Sequence, residues 1–293
     1  MKKFACFLLF SFLLLSCERY NFDDDSSVIS RDGVSVTFKV SEIEQQPFES
    51  TNIGRSVNSL SSLCSRITIA IFKGDDKVKT INQQSDTEGF GSFSVELEPA
   101  GYRLVVIAHN GTANATISLP EKITFPSNKC TDTFYNYSVF SVEEDTEISL
   151  SLKRCVAAVK ISLLDNIPED VAKMKFYYTG GSSTFDAVSG HGCINSRQTE
   201  VFDVTESMHA APSSFQVYTF PHEVSGNLKF TISALDGSDN VVQEKVFSSL
   251  PVSINKVSVW EGFFFPSTYD LHSTSANLFV ENDGKWDGQI IIE

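Results

Sequence analysis

Val34-Ser35-Val36-Thr37-Phe38-Lys39-Val40 alternates apolar and polar side chains residue by residue. Neighbouring side chains on an extended chain point to opposite faces, so this period-two pattern predicts a strand with one face buried. The pattern returns at Ile67, Ile69 and Ile71 around Thr68 and Ala70, and at Phe93, Val95 and Leu97 around Ser94 and Glu96. Leu104 to Ala108 is apolar throughout and β-rich, as a strand covered on both faces would be. Turn chemistry separates the runs at Gly74-Asp75-Asp76, Gly89-Phe90-Gly91, Pro99-Ala100-Gly101 and Asn110-Gly111. The Ser- and Gln-containing stretch between Val40 and Ile67 reads mostly as loop.

The second half of the chain continues in the same style. Strands are predicted over Val156–Leu163, Lys173–Tyr178, Phe215–Phe220, Leu228–Ala234, Val241–Phe247 and Val252–Trp260, with turns at Gly180-Gly181-Ser182-Ser183 and Asp236-Gly237-Ser238. Pro168 to Lys173 has room for one short turn of helix; no helical apolar period of useful length occurs elsewhere. Many short strands with frequent turn signals predict an all-β chain of sandwiches. No repeat of about 20–50 residues is present, which excludes a solenoid or propeller. The boundary between two sandwiches is placed near Leu152 to Arg154, giving an amino-terminal sandwich over 34–153 and a carboxyl-terminal one over 154–293.

Composition agrees with folded cores: 41% of the 293 residues are hydrophobic, including 24 Phe and 8 Tyr. The formal net charge of −14 excludes nucleic acid as a partner, because a phosphate backbone needs a basic footprint. It also excludes a polybasic grip on anionic lipid.

Membrane contact is expected at the amino end instead. Lys2 and Lys3 precede an almost unbroken apolar run from Phe4 to Leu15. The run falls short of the roughly 20 apolar residues that span a bilayer and has the proportions of a secretory signal, residues 1–16. Leu14-Leu15-Ser16-Cys17 resembles the lipobox of bacterial lipoproteins, in which cleavage falls between the small residue and the cysteine. That resemblance implies a diacylglycerol and an N-acyl chain on Cys17, and acyl chains bury methylenes at about 0.8 kcal/mol each. An ordinary signal with a coincidental cysteine is the alternative. Residues 17–33 then form a lipidated tether. The acidic cluster Asp23-Asp24-Asp25 is either a solvated spacer or, by resemblance, a surface-export signal of Bacteroidota lipoproteins.

No constellation in the chain carries chemistry. Ser189-Gly190-His191-Gly192-Cys193 brings a histidine near a cysteine in sequence, but a nucleophile and its base must meet in space. The remaining histidines lack metal-ligand spacing, and there is no nucleophile elbow or phosphate-binding glycine loop. Neither catalysis, a metal, a small-molecule substrate nor any cofactor beyond the covalent lipid is expected. Cys64, Cys130, Cys155 and Cys193 are compatible with three disulfide pairings or with free thiols.

The carboxyl end holds a second candidate interface. Leu278-Phe279-Val280, a turn at Asn282-Asp283-Gly284 and Ile290-Ile291-Ile292 close the chain. Leu278, Val280, Ile290 and Ile292, within 276–293, either complete their own sandwich or supply a strand to another subunit, where main-chain hydrogen bonds and side-chain pockets act together.

Several strings, in order, resemble the FimB-type fimbrillin-associated fimbrial anchor lipoproteins of Bacteroidota. They are Leu97-Glu98-Pro99-Ala100-Gly101-Tyr102-Arg103-Leu104-Val105-Val106-Ile107-Ala108-His109-Asn110-Gly111, then Thr131-Asp132-Thr133-Phe134-Tyr135. Leu150-Ser151-Leu152-Lys153-Arg154-Cys155-Val156-Ala157-Ala158-Val159 resembles an arginine-centred interdomain strand. Asp165-Asn166-Ile167-Pro168, Tyr177-Tyr178-Thr179-Gly180-Gly181-Ser182, Tyr218-Thr219-Phe220-Pro221 and Gly262-Phe263-Phe264 follow. The resemblance implies two transthyretin-like β-sandwich domains in tandem. It also implies a structural anchor that holds a fimbrium to the outer membrane, limits fibre length and contacts fimbrial stalk subunits. In related stalk pilins an arginine-specific protease removes a leading strand, and a neighbour's carboxyl-terminal strand fills the groove; anchors keep theirs. Arg31, Arg55 and Arg66 leave a processed stalk or tip subunit open. A surface lipoprotein that captures a glycan or peptide, with loops such as Gly180–Cys193, is the third reading.

Overall fold

The alternation at residues 34–40 becomes the first strand of a large sheet. The structure is a computed structural model that describes residues 33–44, 60–265 and 289–292. In the first half the elements are β1 (Val34–Glu44), α1 (Leu60–Leu63), β2 (Arg66–Lys73), β3 (Asp76–Gln84), β4 (Ser92–Leu97), β5 (Ala100–His109), β6 (Thr116–Leu119), β7 (Lys122–Thr124), β8 (Thr133–Val142) and β9 (Thr146–Arg154). The second half holds β10 (Ala157–Leu163), β11 (Lys173–Thr179), β12 (Thr184–Asp186), β13 (His191–Gly192), β14 (Arg197–Asp203) and α2 (Glu206–Ala210). It continues with β15 (Ser214–Thr219), β16 (Ser225–Leu235), β17 (Val241–Ser253), β18 (Val257–Gly262) and β19 (Gln289–Ile291).

Seven strands of the first half form one sheet in the order β3-β2-β5-β8-β9-β1-β4. One face encloses a core built from Val36 and Phe38 of β1, Ile67, Ile69 and Ile71 of β2, Leu104 and Val106 of β5, and Leu150 and Leu152 of β9. To enclose that core the sheet curls until its two edge strands meet. There the buried side chain of Gln83 on β3 stands in for a main-chain amide: Nε2 donates to Ser92 O at 2.7 Å and Oε1 accepts from Gly91 N at 2.8 Å.

The second half is built from two facing sheets, β15-β10-β18-β19 and β14-β11-β16-β17. Val159 and Ile161 of β10, Phe176 of β11, Phe230 and Ile232 of β16 and Trp260 of β18 pack between them. The architecture is thus the all-β, sandwich-like one expected from the sequence. From Gly33 onward the chain forms one compact unit.

Several local expectations change. The run Val252–Trp260 is two strands, because Asn255 adopts a left-handed conformation (φ 57°) and Lys256 N closes a turn on Ser253 O at 3.1 Å. Asn is one of the few side chains that tolerates this region. Leu150–Val159 is likewise divided, between β9 and β10, at Cys155-Val156. Pro168–Lys173 makes a turn closed by Val171 N on Pro168 O at 3.0 Å, with no helix. In the stretch read as loop, β1 runs on to Glu44, and α1 precedes β2. Sequence reasoning also passed over β3, β8 and β14. β3 and β14 are edge strands with polar side chains on both faces, so they carry little apolar period.

Candidate assembly interface

The continuously apolar run in β5 explains how the halves are joined. Leu104 and Val106 face the first core, whereas Val105 and Ile107 face a third core on the opposite side of the sheet. That core draws Ala70, Phe72, Ile123, Phe125 and Tyr135 from the first half and Cys155, Val156, Phe185, Ala187 and Phe220 from the second. A string of rings crosses the junction and returns. His109 meets Phe125 edge-on (5.4 Å), Phe125 stacks on Phe220 (5.1 Å), Phe220 packs tilted against Phe185 (5.1 Å), and Phe185 meets Tyr135 edge-on (4.8 Å). Main-chain pairing follows the same route: β7 of the first half pairs with β12 of the second, placing Ile123 opposite Phe185, in a small sheet ordered β13-β12-β7-β6.

A charged latch sits beside this core. Arg154, at the end of β9, has a side chain only 2% exposed. Its Nε and Nη2 donate to the two carboxylate oxygens of Asp132 at 2.7 and 3.0 Å, and its Nη1 donates to Asn255 Oδ1 at 2.8 Å. The guanidinium also lies over the Phe134 ring, 4.7 Å from its centroid. One side chain therefore ties the strand that leaves the first half, a loop of that half and the β17–β18 turn of the second. The bidentate fork is an arrangement that lysine cannot reproduce.

The predicted site residues fall in different places. Ser16, Cys17, Leu278 and Val280 lie outside the described residues, as do Arg31 and Arg55. Ile290 lies in β19, which runs parallel to β18 with Ile290 opposite Ser258, and Ile292 N donates to Val259 O at 2.9 Å. Ile292 also packs against the second core. Arg66 begins β2, and its guanidinium donates to Gly111 O at 3.1 Å and to Asn114 Oδ1 at 3.0 Å. A chain cut there would lose a hydrogen-bonded end of a strand that lies between β3 and β5.

The Ser189–Cys193 segment packs closely at the junction. Gly190 has φ 78°, and a Cβ there would collide with the Tyr135 hydroxyl; a Cβ at Gly192 would collide with Phe220 O. Glycine is required at both positions by close approach. All four of these cysteines are free thiols, with Cys64, Cys130 and Cys155 buried and Cys193 exposed. Burial pushes the Cys64 thiol up to about 12 and raises Cys130, Cys155 and Cys193 as well, so none of them is poised as a thiolate. Among the described residues no group of acidic, His or Cys side chains is arranged to hold a metal ion.

His109 is fully buried. Its Nδ1 accepts from Gly111 N at 3.0 Å, and burial, reinforced by the Arg66 charge, holds its pKa down at about 4. The resemblance to an arginine-centred interdomain strand put Arg154 between the halves, but sequence reasoning missed His109 and Phe220 as junction residues. Those two stood inside strings quoted for the family resemblance, without a spacing that would single them out.

Several solved structures align with this chain. A candidate adhesin from Bacteroides ovatus matches with a TM-score of 0.51 at 13% identity, over 96% of this chain and 98% of that one. The fimbrial anchor protein Mfa2 from Porphyromonas gingivalis aligns at 10% identity and a TM-score of 0.39, over 74% of this chain and 83% of that one. The tip fimbrial protein Mfa3 from the same organism aligns at 9% identity and a TM-score of 0.40, over 80% and 96%. No curated protein matches the chain. The family model for fimbrillin-A associated anchor proteins Mfa1 and Mfa2 matches residues 24–256, and the chain belongs to that family of fimbrium-associated cell-surface proteins.

Proposed function

We propose that this protein is a lipid-tethered anchor at the base of a fimbrium. Diacylglycerol and an N-acyl chain on Cys17, after cleavage behind Ser16, hold it in the outer membrane on the cell-surface side. The folded part contacts fimbrial stalk subunits through β-strand pairing and limits fibre length. The observation that carries this reading is Leu14-Leu15-Ser16-Cys17 standing ahead of a chain of the fimbrial anchor family. The position of β1 supports it. β1 lies between β4 and β9, so the sheet is completed from within the chain. A subunit complete in itself needs no neighbour's strand and suits the end of a fibre. The stalk contact is assigned to the terminal segment, Leu278 and Val280 together with Ile290 and Ile292; donation of the last two would require them to leave β18.

A processed stalk or tip subunit is the second reading, because Arg31 and Arg55 bracket β1 in sequence. A cut after Arg55 would free β1 for removal and leave β4 without its partner in the sheet. A surface lipoprotein that captures a glycan or peptide is the third.

Intact-mass analysis of protein from native outer membranes, with an unheated gel beside it, separates the three. An acylated chain beginning at Cys17, in a ladder with a second subunit, is expected. A chain beginning after Arg31 or Arg55 would favour the processed subunit, and an acylated strict monomer the binding lipoprotein. Cys17→Ala should release the protein into soluble fractions; retention in the membrane would refute the lipid tether.

A further inference from the structure

We infer that each half of this protein is a tension-bearing clamp, in which load along the chain shears a parallel pair of strands instead of peeling it. The inference rests on the anchor reading only for the direction from which load arrives.

In both halves the first strand lies in the interior of a sheet, beside and parallel to a late strand of that half: β9, the last of the first half, and β18, the last long strand of the second, with only the short β19 beyond it. β1 pairs with β9 from Val36 opposite Thr146 to Glu44 opposite Lys153. β10 pairs with β18 from Ala158 opposite Val257 to Leu163 opposite Gly262. Tension on a lipid-tethered chain enters β1 at Val34 and leaves the first half at Arg154, the far end of β9. Because the two strands run in the same direction, the pulled ends lie at opposite ends of the ladder. All of its hydrogen bonds are then loaded together. Were the strands antiparallel, both pulled ends would lie at one end and the bonds would fail in succession.

The surroundings reinforce the clamp. On its other side β1 pairs with β4, from Val34 opposite Leu97 to Lys39 opposite Ser92, so it cannot slide without breaking a second ladder. Sliding would also draw the fully buried Val36 and Phe38 out of the first core, where Phe38 stacks on Phe93 at 5.1 Å and meets Phe140 edge-on at 5.3 Å. In the second half β10 is held on its far side by β15. The exit from β18 is fastened too. Asp165 Oδ2 accepts from Phe264 N at 2.9 Å and from Phe265 N at 2.6 Å, and Leu164 N donates to Gly262 O at 3.0 Å. Between the clamps lie the third core and the Arg154–Asp132 latch. Forced unfolding is governed by the barrier to rupture and not by equilibrium stability, so this topology sets strength independently of the folding free energy.

Single-molecule pulling on the chain from residue 17 onward tests the inference. One set of handles grips residues 17 and 293. The other grips residue 17 and the exposed turn before β9, through Glu144→Cys in a Cys193→Ser background. The second geometry pulls β1 and β9 apart from the same end. The end-to-end geometry should rupture at a several-fold higher force, with a separate event for each half. Equal forces in the two geometries, or gradual extension at low force from the two ends, would overturn the clamp. High end-to-end strength in a chain that carries no acyl group in native membranes would sink the anchor reading and leave the clamp standing.

Discussion

The two halves enclose their cores by different means and meet the same end. The first uses one seven-stranded sheet that curls until its edges touch, with Gln83 bridging the seam. The second sets two four-stranded sheets face to face, one of them extended by the short β19. In each, the strand that enters lies parallel to the last long strand, β1 to β9 and β10 to β18. A shared entry-and-exit device inside two different enclosures points to the path of the chain, more than the shape of either core, as the feature the architecture preserves. What joins the halves is a third core about as dry as the other two, so they are coupled far more firmly than by a linker alone.

That coupling is open to attack at several points. Phe220→Ala removes the ring between Phe125 and Phe185; such a truncation costs about 3–5 kcal/mol. The halves should then separate into two calorimetric transitions where the parent shows one, and a single transition at lower temperature would mean the junction is not what couples them. Asp132→Ala leaves the Arg154 charge buried without its carboxylate, a loss of about 3 kcal/mol by analogy with other broken buried pairs. Denaturant titration should show both halves weakened, since the latch touches both. Arg154→Lys in the parent keeps the charge but not the fork and should cost only part of that amount.

His109 gives the comparison a pH axis. Its folded pKa of about 4 lies below the ordinary value of 6.5. Above that ordinary value both folded and unfolded chains hold it neutral, and it has no effect. As pH falls towards 4 the unfolded chain takes up the proton first, so stability drains by roughly 3 kcal/mol and then levels off. Urea midpoints measured across that window should fall for the parent and stay flatter for His109→Gln; parallel curves would remove His109 as the cause. The smallest effect is expected at the edge of the second half. Ile292→Ser should cost about 1 kcal/mol, because its side chain is only partly buried, and should accelerate hydrogen exchange in β18 while leaving β1 and β9 unchanged.

Much of this was legible beforehand where one face of a strand meets water and the other a core. Val34 to Val40 and Leu228 to Ala234 alternate for that reason, and β1 and β16 follow. The run at Leu104 to Ala108 correctly announced a strand buried on both faces, without saying what covered the second. The edge strands β3 and β14 were invisible because neither of their faces is fully buried. The Ser189–Cys193 segment reads from its sequence as a polar loop; its glycines serve close packing against Tyr135 and Phe220. The four cysteines could not be assigned as bridged or free without knowing which side chains lie together.

The sequence alone determined that this chain is all-β, that it fills real cores, and that it carries the strings of the fimbrial anchor family. Periodicity and composition act locally, and a local signal is enough for those conclusions. Only the tertiary structure decided that β1 lies between β4 and β9, that Arg154 reaches Asp132 and Asn255, and that Phe220 closes a third core. These are contacts between residues far apart in the chain. They are chosen by the collective packing of side chains and by the direction in which strands run, and a stretch of sequence read by itself contains neither.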